Sequence, residues 1–181
     1  MNNGRGYLLT CTLCMVLLLS GCSGAWEATK KVGKVVMDSD IPVGPASDQP
    51  STVRLILLAE PDMNPNEKGD ATPIEVAVVY LSENSKLLAA DYDQLTRETL
   101  EKTLGKNYID HQEYTLLPAQ FKPMNPIKLA DNNSYLGVIA YYADADRSEW
   151  KKIIKVKGIG HHYNVLVHVR ANDIELRKEE E

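Results

Sequence analysis

Two apolar stretches open the patterned part of the chain. TVRLILLA at residues 52–59 and IEVAVVYL at residues 74–81 are rich in β-branched side chains and bounded by turn formers, so both are predicted to be strands. The second alternates at first and then becomes wholly apolar. Further strand patterns cover residues 108–116, 127–129, 135–142, 153–156 and 163–169, the last expected to run on to Leu176. About seven short strands at this spacing predict a mainly β, two-sheet β-sandwich. Between the second and third strands the period changes. Leu87, Leu88, Tyr92, Leu95, Leu100 and Leu104 recur at helical intervals, which predicts a short helical insertion of one or two helices. Leu95, Thr99, Leu100 and Thr103 would share a face, leaving Glu98, Glu101 and Lys102 in water.

The ends of the chain lack this patterning. Residues 23–51 carry Pro42, Gly44, Pro45 and Pro50, which disfavour helix, and read as a flexible tether with at most a brief helix over 28–37. At the other end, residues 177–181 are charged and are expected to fray. The very start is different again: Arg5 precedes an apolar run from Tyr7 to Leu19, followed by small residues. That is the layout of an export signal, and the run is short of the roughly 20 apolar residues a retained membrane span needs. Leu19, Ser20, Gly21 and Cys22 resemble the cleavage box of bacterial lipoproteins. The resemblance implies cutting before Cys22 and acylation of its sulfur and its new amino group, an anchor strong enough to hold the chain at a membrane. Ser23, where an Asp would resemble an inner-membrane retention signal, points to the outer membrane. The chain is thus expected to divide into a leader (1–21), an acylated N-terminus and tether (22–51), a sandwich (52–176) and a charged tail (177–181).

Charge and candidate chemistry narrow the function. The net charge of −5 becomes −6 once Arg5 leaves with the leader, and no basic run is present, which argues against nucleic acid as a partner. Cys11 and Cys14 fall in the leader and Cys22 is committed to lipid, so no disulfide is expected. Asp62, Asn64 and Asn66 alternate like a calcium loop. However, Glu67 and Pro73 stand where an EF-hand needs glycine and a bidentate glutamate. Adjacent His161 and His162 point to opposite faces of an extended chain, and Asp144, Asp146 and Glu149 sit in a polar turn before Trp150. No nucleophile elbow, phosphate loop or zincin helix is present. The expectation is no catalytic residue, no metal, no cofactor beyond the lipid on Cys22, and no small-molecule substrate.

Several segments in order carry a family likeness: the lipobox, the run from Leu57 through Glu60, Pro61, Asp62, Met63, Asn64, Pro65, Asn66, Glu67 and Lys68 to Gly69, the strand from Pro73 to Leu81, the step Asp91, Tyr92, Asp93, Gln94, Leu95, and the late strand from Leu136 to Asp144 followed by Trp150. Together these resemble the TssJ family, outer-membrane lipoproteins of the bacterial type VI secretion system, over most of residues 53–176. The resemblance implies a transthyretin-like sandwich on the periplasmic face of the outer membrane, without catalysis. It also implies binding to the periplasmic domain of the inner-membrane protein TssM through the loop joining the first two strands. Carried onto this chain, that loop is residues 60–72. Its contact residues would be Asp62, Met63, Asn64, Pro65, Asn66, Glu67, Lys68 and Gly69, with Met63 an exposed, adaptable apolar anchor and Met63, Asn64 and Pro65 the strongest contributors. Residues 132–135 and 144–148 are the candidate rim. The alternatives are a periplasmic small-ligand carrier or a hydrolase on the same type of sandwich.

Overall fold

The computed structural model describes residues 44–181; the leader, Cys22 and the helix expected over 28–37 lie outside them. The first strand, β1 (Thr52–Ala59), shows the pattern of a half-buried strand. Val53, Leu55, Leu57 and Ala59 are buried and Arg54 faces water. In β2 (Ile74–Leu81) both faces are covered. Val76, Val78 and Tyr80 join the interior between the sheets, while Ala77, Val79 and Leu81 join a second apolar cluster on the opposite face. That is why the strand is apolar without a break from Val76 to Leu81.

Seven more strands follow: β3 (Tyr108–Leu116), β4 (Phe121–Pro123), β5 (Ile127–Lys128), β6 (Tyr135–Ala140), β7 (Lys151–Lys155), β8 (His162–Val169) and β9 (Ile174–Glu180). One sheet runs β4-β1-β8-β9, with β5 also pairing β1, and the other runs β3-β2-β6-β7. β1 and β8 are parallel and the remaining pairs are antiparallel. The inner faces make the expected sandwich, in which each fully buried Val or Leu is worth roughly 1.5–3 kcal/mol.

The helical insertion is real, and it explains the second cluster. Helix α1 (Ser85–Ala89), a 3-10 turn (Tyr92–Gln94), helix α2 (Leu100–Leu104) and another 3-10 turn (Gly105–Asn107) lie over the outer face of the β3-β2-β6-β7 sheet. Leu87, Leu95, Leu100 and Leu104 pack there against Ala77, Val79, Leu81 and Ile139. Helices of five residues have little stability of their own, so this packing holds them. Gly137 on β6 makes room: a Cβ there would come within 2.4 Å of Leu87 Cδ2. Lys151 Nζ reaches from β7 to donate to the carbonyls of Leu87, Leu88 and Ala90 at 3.0, 2.9 and 2.7 Å, satisfying the end of α1. Burial there lowers the Lys151 ammonium below its ordinary pKa. Leu88, placed in the helical pattern, is exposed.

The structure corrects several boundaries. Edge strand β4, beside β1, leaves no pattern in the sequence, and β6 ends at Ala140. The strand expected to run from 163 to Leu176 is two antiparallel strands, β8 and β9, with a turn at 170–173. The charged tail expected over 177–181 is the body of β9, pairing Arg177 with Leu166 and Glu180 with Tyr163. Backbone pairing is indifferent to side-chain charge at a sheet edge, where charged residues also discourage further strand addition. The domain also begins before residue 52. Ser51 is buried, its N–H donates to Gly158 O at 2.7 Å, and Gly160 N–H donates to Gln49 O at 2.8 Å, so the expected tether gives way to a compact unit at Pro45.

Candidate functional site

β1 carries the chain from one pole of the sandwich to the other. Residues 45–51 lie at the first pole, held by the 156–161 segment, and residues 60–73 leave the second. Eight residues of strand separate them, roughly 26 Å at about 3.3 Å per residue.

The 60–73 loop is built by its asparagines. Asn64 adopts a left-handed backbone, φ 47°, which asparagine tolerates better than most residues. Its side-chain nitrogen donates to Thr72 Oγ1 and to Pro73 O, both at 2.9 Å, and its Oδ1 accepts from Ala143 N–H at 2.7 Å. Asn64 N–H itself donates to Ala171 O at 3.1 Å. Further out, Asn66 Oδ1 accepts from the N–H groups of Lys68 and Asp70 at 2.9 and 3.0 Å, and Asn66 N–H donates to Asp70 O at 2.9 Å. Gly69, φ 87°, closes that turn. The loop is ordered by this bonding more than by its prolines.

This geometry overturns the expected exposure of its centre. Met63 is 0% exposed and belongs to the main core, and Asn64 is 5% exposed. Neither offers a surface to a partner. Pro65 is half-buried, and the exposed positions are Pro61, Asp62, Asn66, Glu67, Lys68, Gly69 and Asp70.

Two other turns share this pole. Ala143 is tied to Asn64, and Tyr142 Oη donates to Arg170 O and Asp173 O at 3.0 and 2.6 Å, locking the 141–149 and 170–173 segments beside the loop. Burial, the Asp173 charge and Glu60 push the Tyr142 phenol up, so it stays a donor. The 144–148 rim is therefore adjacent. Residues 132–135 are not: Ser134 N–H donates to Leu81 O, at the opposite end of β2. At the stem of the loop Glu60 meets His168 Nε2 at 3.0 Å and Arg170 Nε at 3.8 Å, and Arg170 also pairs with Glu175. The Glu175 carboxyl is held below the usual carboxylate range, first by the hydrogen bond from Arg177 and then by the Arg170 charge.

A further part of this pole carried no sequence signal. Ala119 N–H donates to Glu60 O, and Ala59 N–H to Gln120 O, which sets the 117–120 turn against the loop stem. Ala119 takes φ 61°, uncommon for alanine. Leu117 is 54% exposed and Phe121, the chain's single phenylalanine, is 63% exposed. Asp62, Glu67, Asp70, Asp144 and Asp146 are exposed on the 60–73 loop and the 144–148 turn, with Lys68 and Arg147 among them.

The other candidates are dispersed. His161 pairs with Glu180 and stacks on Tyr163, whereas His162 Nδ1 lies 2.8 Å from Thr52 Oγ1. Asp144 pairs with Arg147 at 3.5 Å within a solvated turn, and Glu149 pairs with Lys152 at the start of β7. Among the described residues no group of three His, Cys, Asp or Glu side chains is arranged to hold a metal ion.

A two-sheet sandwich with one face roofed by short helices and its long first loop pinned to neighbouring turns defines the class: a mainly β sandwich domain. Residues 51–172 match the family described as type VI secretion lipoprotein, VasD, EvfM, TssJ, and the chain belongs to that family. The crystal structure of the lipoprotein TssJ1 of the type VI secretion system (T6SS) from Pseudomonas aeruginosa is similar at 27% identity, covering 72% of this chain and 97% of that one, with a TM-score of 0.67. The structure of Serratia marcescens Lip, a membrane-bound component of the type VI secretion system, shares the fold at 18% identity, covering 70% and 96%, TM-score 0.63. So does a chain in a type VI membrane complex, at 22% identity, covering 71% and 99%, TM-score 0.61. No curated protein sequence matches.

Proposed function

We propose that this chain is a lipid-anchored docking protein without catalysis. Cys22 holds it on the periplasmic face of the outer membrane, and the exposed rim of the 60–73 loop binds the periplasmic domain of TssM. The observation that carries the reading is the polar arrangement: the chain enters the domain at one end of β1 and the loop stands at the other, roughly 26 Å away. A tether that enters at the first pole leaves the second clear for a partner. The family and the fold shared with a chain of a type VI membrane complex support this partner class.

The structure changes which residues should carry the contact. Met63 and Asn64 hold the loop in shape from within, while Asp62, Asn66, Glu67, Lys68 and Asp70 face outward, with Leu117 and Phe121 beside them. A specific interface typically buries about 800 Å² per partner, more than one turn supplies, and the 117–121 and 144–148 segments provide the remainder. The acidic excess of this rim favours a basic surface on the partner and an association that weakens as salt rises.

Charge reversal at Asp62→Lys, Glu67→Lys and Asp70→Lys is the test. Affinity for the TssM periplasmic domain, measured by biolayer interferometry, should fall by about tenfold or more, with thermal unfolding within a few degrees of the parent. Unchanged affinity would reject the loop as the docking element. For the anchor, a Cys22→Ser chain should lose palmitate labelling and be processed poorly or released from the membrane; retained labelling would reject Cys22.

A further inference from the structure

A groove of about 330 Å³ opens between helix α1 and edge strand β7. Its walls are Asn84 and Leu88 on the α1 side, Tyr135 on β6 and the whole of β7. Strand alternation sorts β7. Ile154 packs towards the interior between the sheets and Ile153 against the helical roof, so Lys151 and Lys155 share the roof side with Ile153. None of these residues belongs to the 60–73 loop or to the turns beside it.

Two features of this groove call for an occupant. Leu88 is 58% exposed, although its neighbour Leu87 is fully buried in the roof. The lining also holds three lysines and no carboxylate, in a chain whose net charge is −5. The three ammonium groups are not equivalent. Lys151 Nζ donates to the carbonyls of Leu87, Leu88 and Ala90, so it gives the groove charge but has no proton left to share. Lys152 answers Glu149. Lys155 is exposed, and among the described residues its ammonium pairs with no carboxylate. A fourth ammonium stands at that end of the strand, because Lys178 Nζ donates to Lys155 O at 2.9 Å.

We propose that this groove docks an extended protein segment that carries a carboxylate and an apolar side chain on one face, two residues apart. Residues i and i+2 of an extended chain lie on one face about 7 Å apart, the same spacing that separates Ile153 from Lys155. The carboxylate meets Lys155 and the apolar side chain covers Leu88 and Ile153, while Lys151 adds attraction without a bond. The volume is at the small end of the usual range for ligand pockets, about 300–1,000 Å³, so it admits one or two side chains and leaves the rest of the segment on the surface. An anionic lipid surface offers similar charge, but a planar bilayer cannot follow a groove between a helix and a strand. The inference does not rest on the 60–73 loop, because the two surfaces share no residue.

The test is a titration of the full lipidated chain in neutral detergent micelles with an acetylated and amidated peptide, Thr-Asp-Thr-Leu-Thr-Asp-Thr, read by backbone amide chemical shifts. The control peptide replaces both aspartates with asparagine. The acidic peptide should bind saturably, shift Leu88, Ile153 and Lys155, and lose affinity as salt is raised, whereas the control should bind about tenfold more weakly. Lys155→Glu and Leu88→Ser change exposed side chains, so both should fold as the parent does, and each should weaken binding of the acidic peptide by about fivefold or more. No saturable shift, equal binding of the control, or unchanged affinity in either variant would overturn the proposal. Phosphatidylglycerol added to the micelles that shifts these amides when the peptide does not would overturn it in favour of an anionic lipid.

Discussion

Within one loop, two adjacent stretches do opposite work. Met63 and Asn64 are buried, one in the core and the other bonded to Thr72, Pro73, Ala143 and Ala171, whereas Asn66 to Asp70 form a self-contained turn in water. The inner pair decides where the loop stands, and the outer turn decides what it shows. The difference teaches that a docking loop can lose binding by either route, and that only stability measurements tell the routes apart.

The largest effect should come from the core half. Met63→Ala removes a fully buried side chain from the main cluster and is expected to cost about 2–5 kcal/mol of unfolding free energy, measured by chemical denaturation. Any fall in partner binding would then accompany a fall in stability. A loss below about 0.5 kcal/mol, the level of an ordinary surface change, would mean that Met63 is an exposed anchor after all.

Asn64→Ala should come next. It leaves the Ala143 N–H and the Pro73 carbonyl without their partner and keeps a left-handed backbone that alanine disfavours, for an expected cost of about 2–3 kcal/mol. Asn64→Asp retains the acceptor for Ala143 and should fall between the two. By contrast Glu67→Ala and Lys68→Ala should each change stability by no more than about 0.5 kcal/mol. If they destabilise as much as Asn64→Ala, the outer turn is structural too and the division within the loop fails.

The same division marks what could be read from the chain alone. The strands at 52–59, 74–81 and 108–116 and the helical insertion follow from periodicity, because burial on one or both faces of a regular element leaves a repeating trace. Loop burial leaves none. Met63 sits among polar neighbours, and its place in the core depends on the 141–149 and 170–173 turns, some 80 to 110 residues later in the chain. The strand at β9 was hidden for a related reason: Lys178 follows Ile174 and Leu176 on one side of the strand but is exposed, with its ammonium 4.9 Å from the Tyr163 ring centre and bonded to Lys155 O.

The smallest effect concerns the stem that joins the two halves to the sandwich. Arg170 links Glu60, the loop's first residue, to Glu175, whose carboxyl is kept below the usual range by Arg177 first and Arg170 after it. A lowered carboxyl contributes stability that is fully present above its unfolded pKa, about 4.3, and is lost as pH falls through the lower folded value. Acidification below about pH 4 should therefore loosen the stem, modestly, because these side chains are exposed and screened by salt. Arg177→Ala removes the main cause of the lowering and should flatten the acid limb of a stability–pH curve, with the difference shrinking as salt is raised. Met63→Ala, an apolar loss, should instead displace the whole curve downward in parallel. If Arg177→Ala shifts the curve in parallel as well, the stem is held by packing rather than by charge, and the loop's two halves rest on a single apolar foundation.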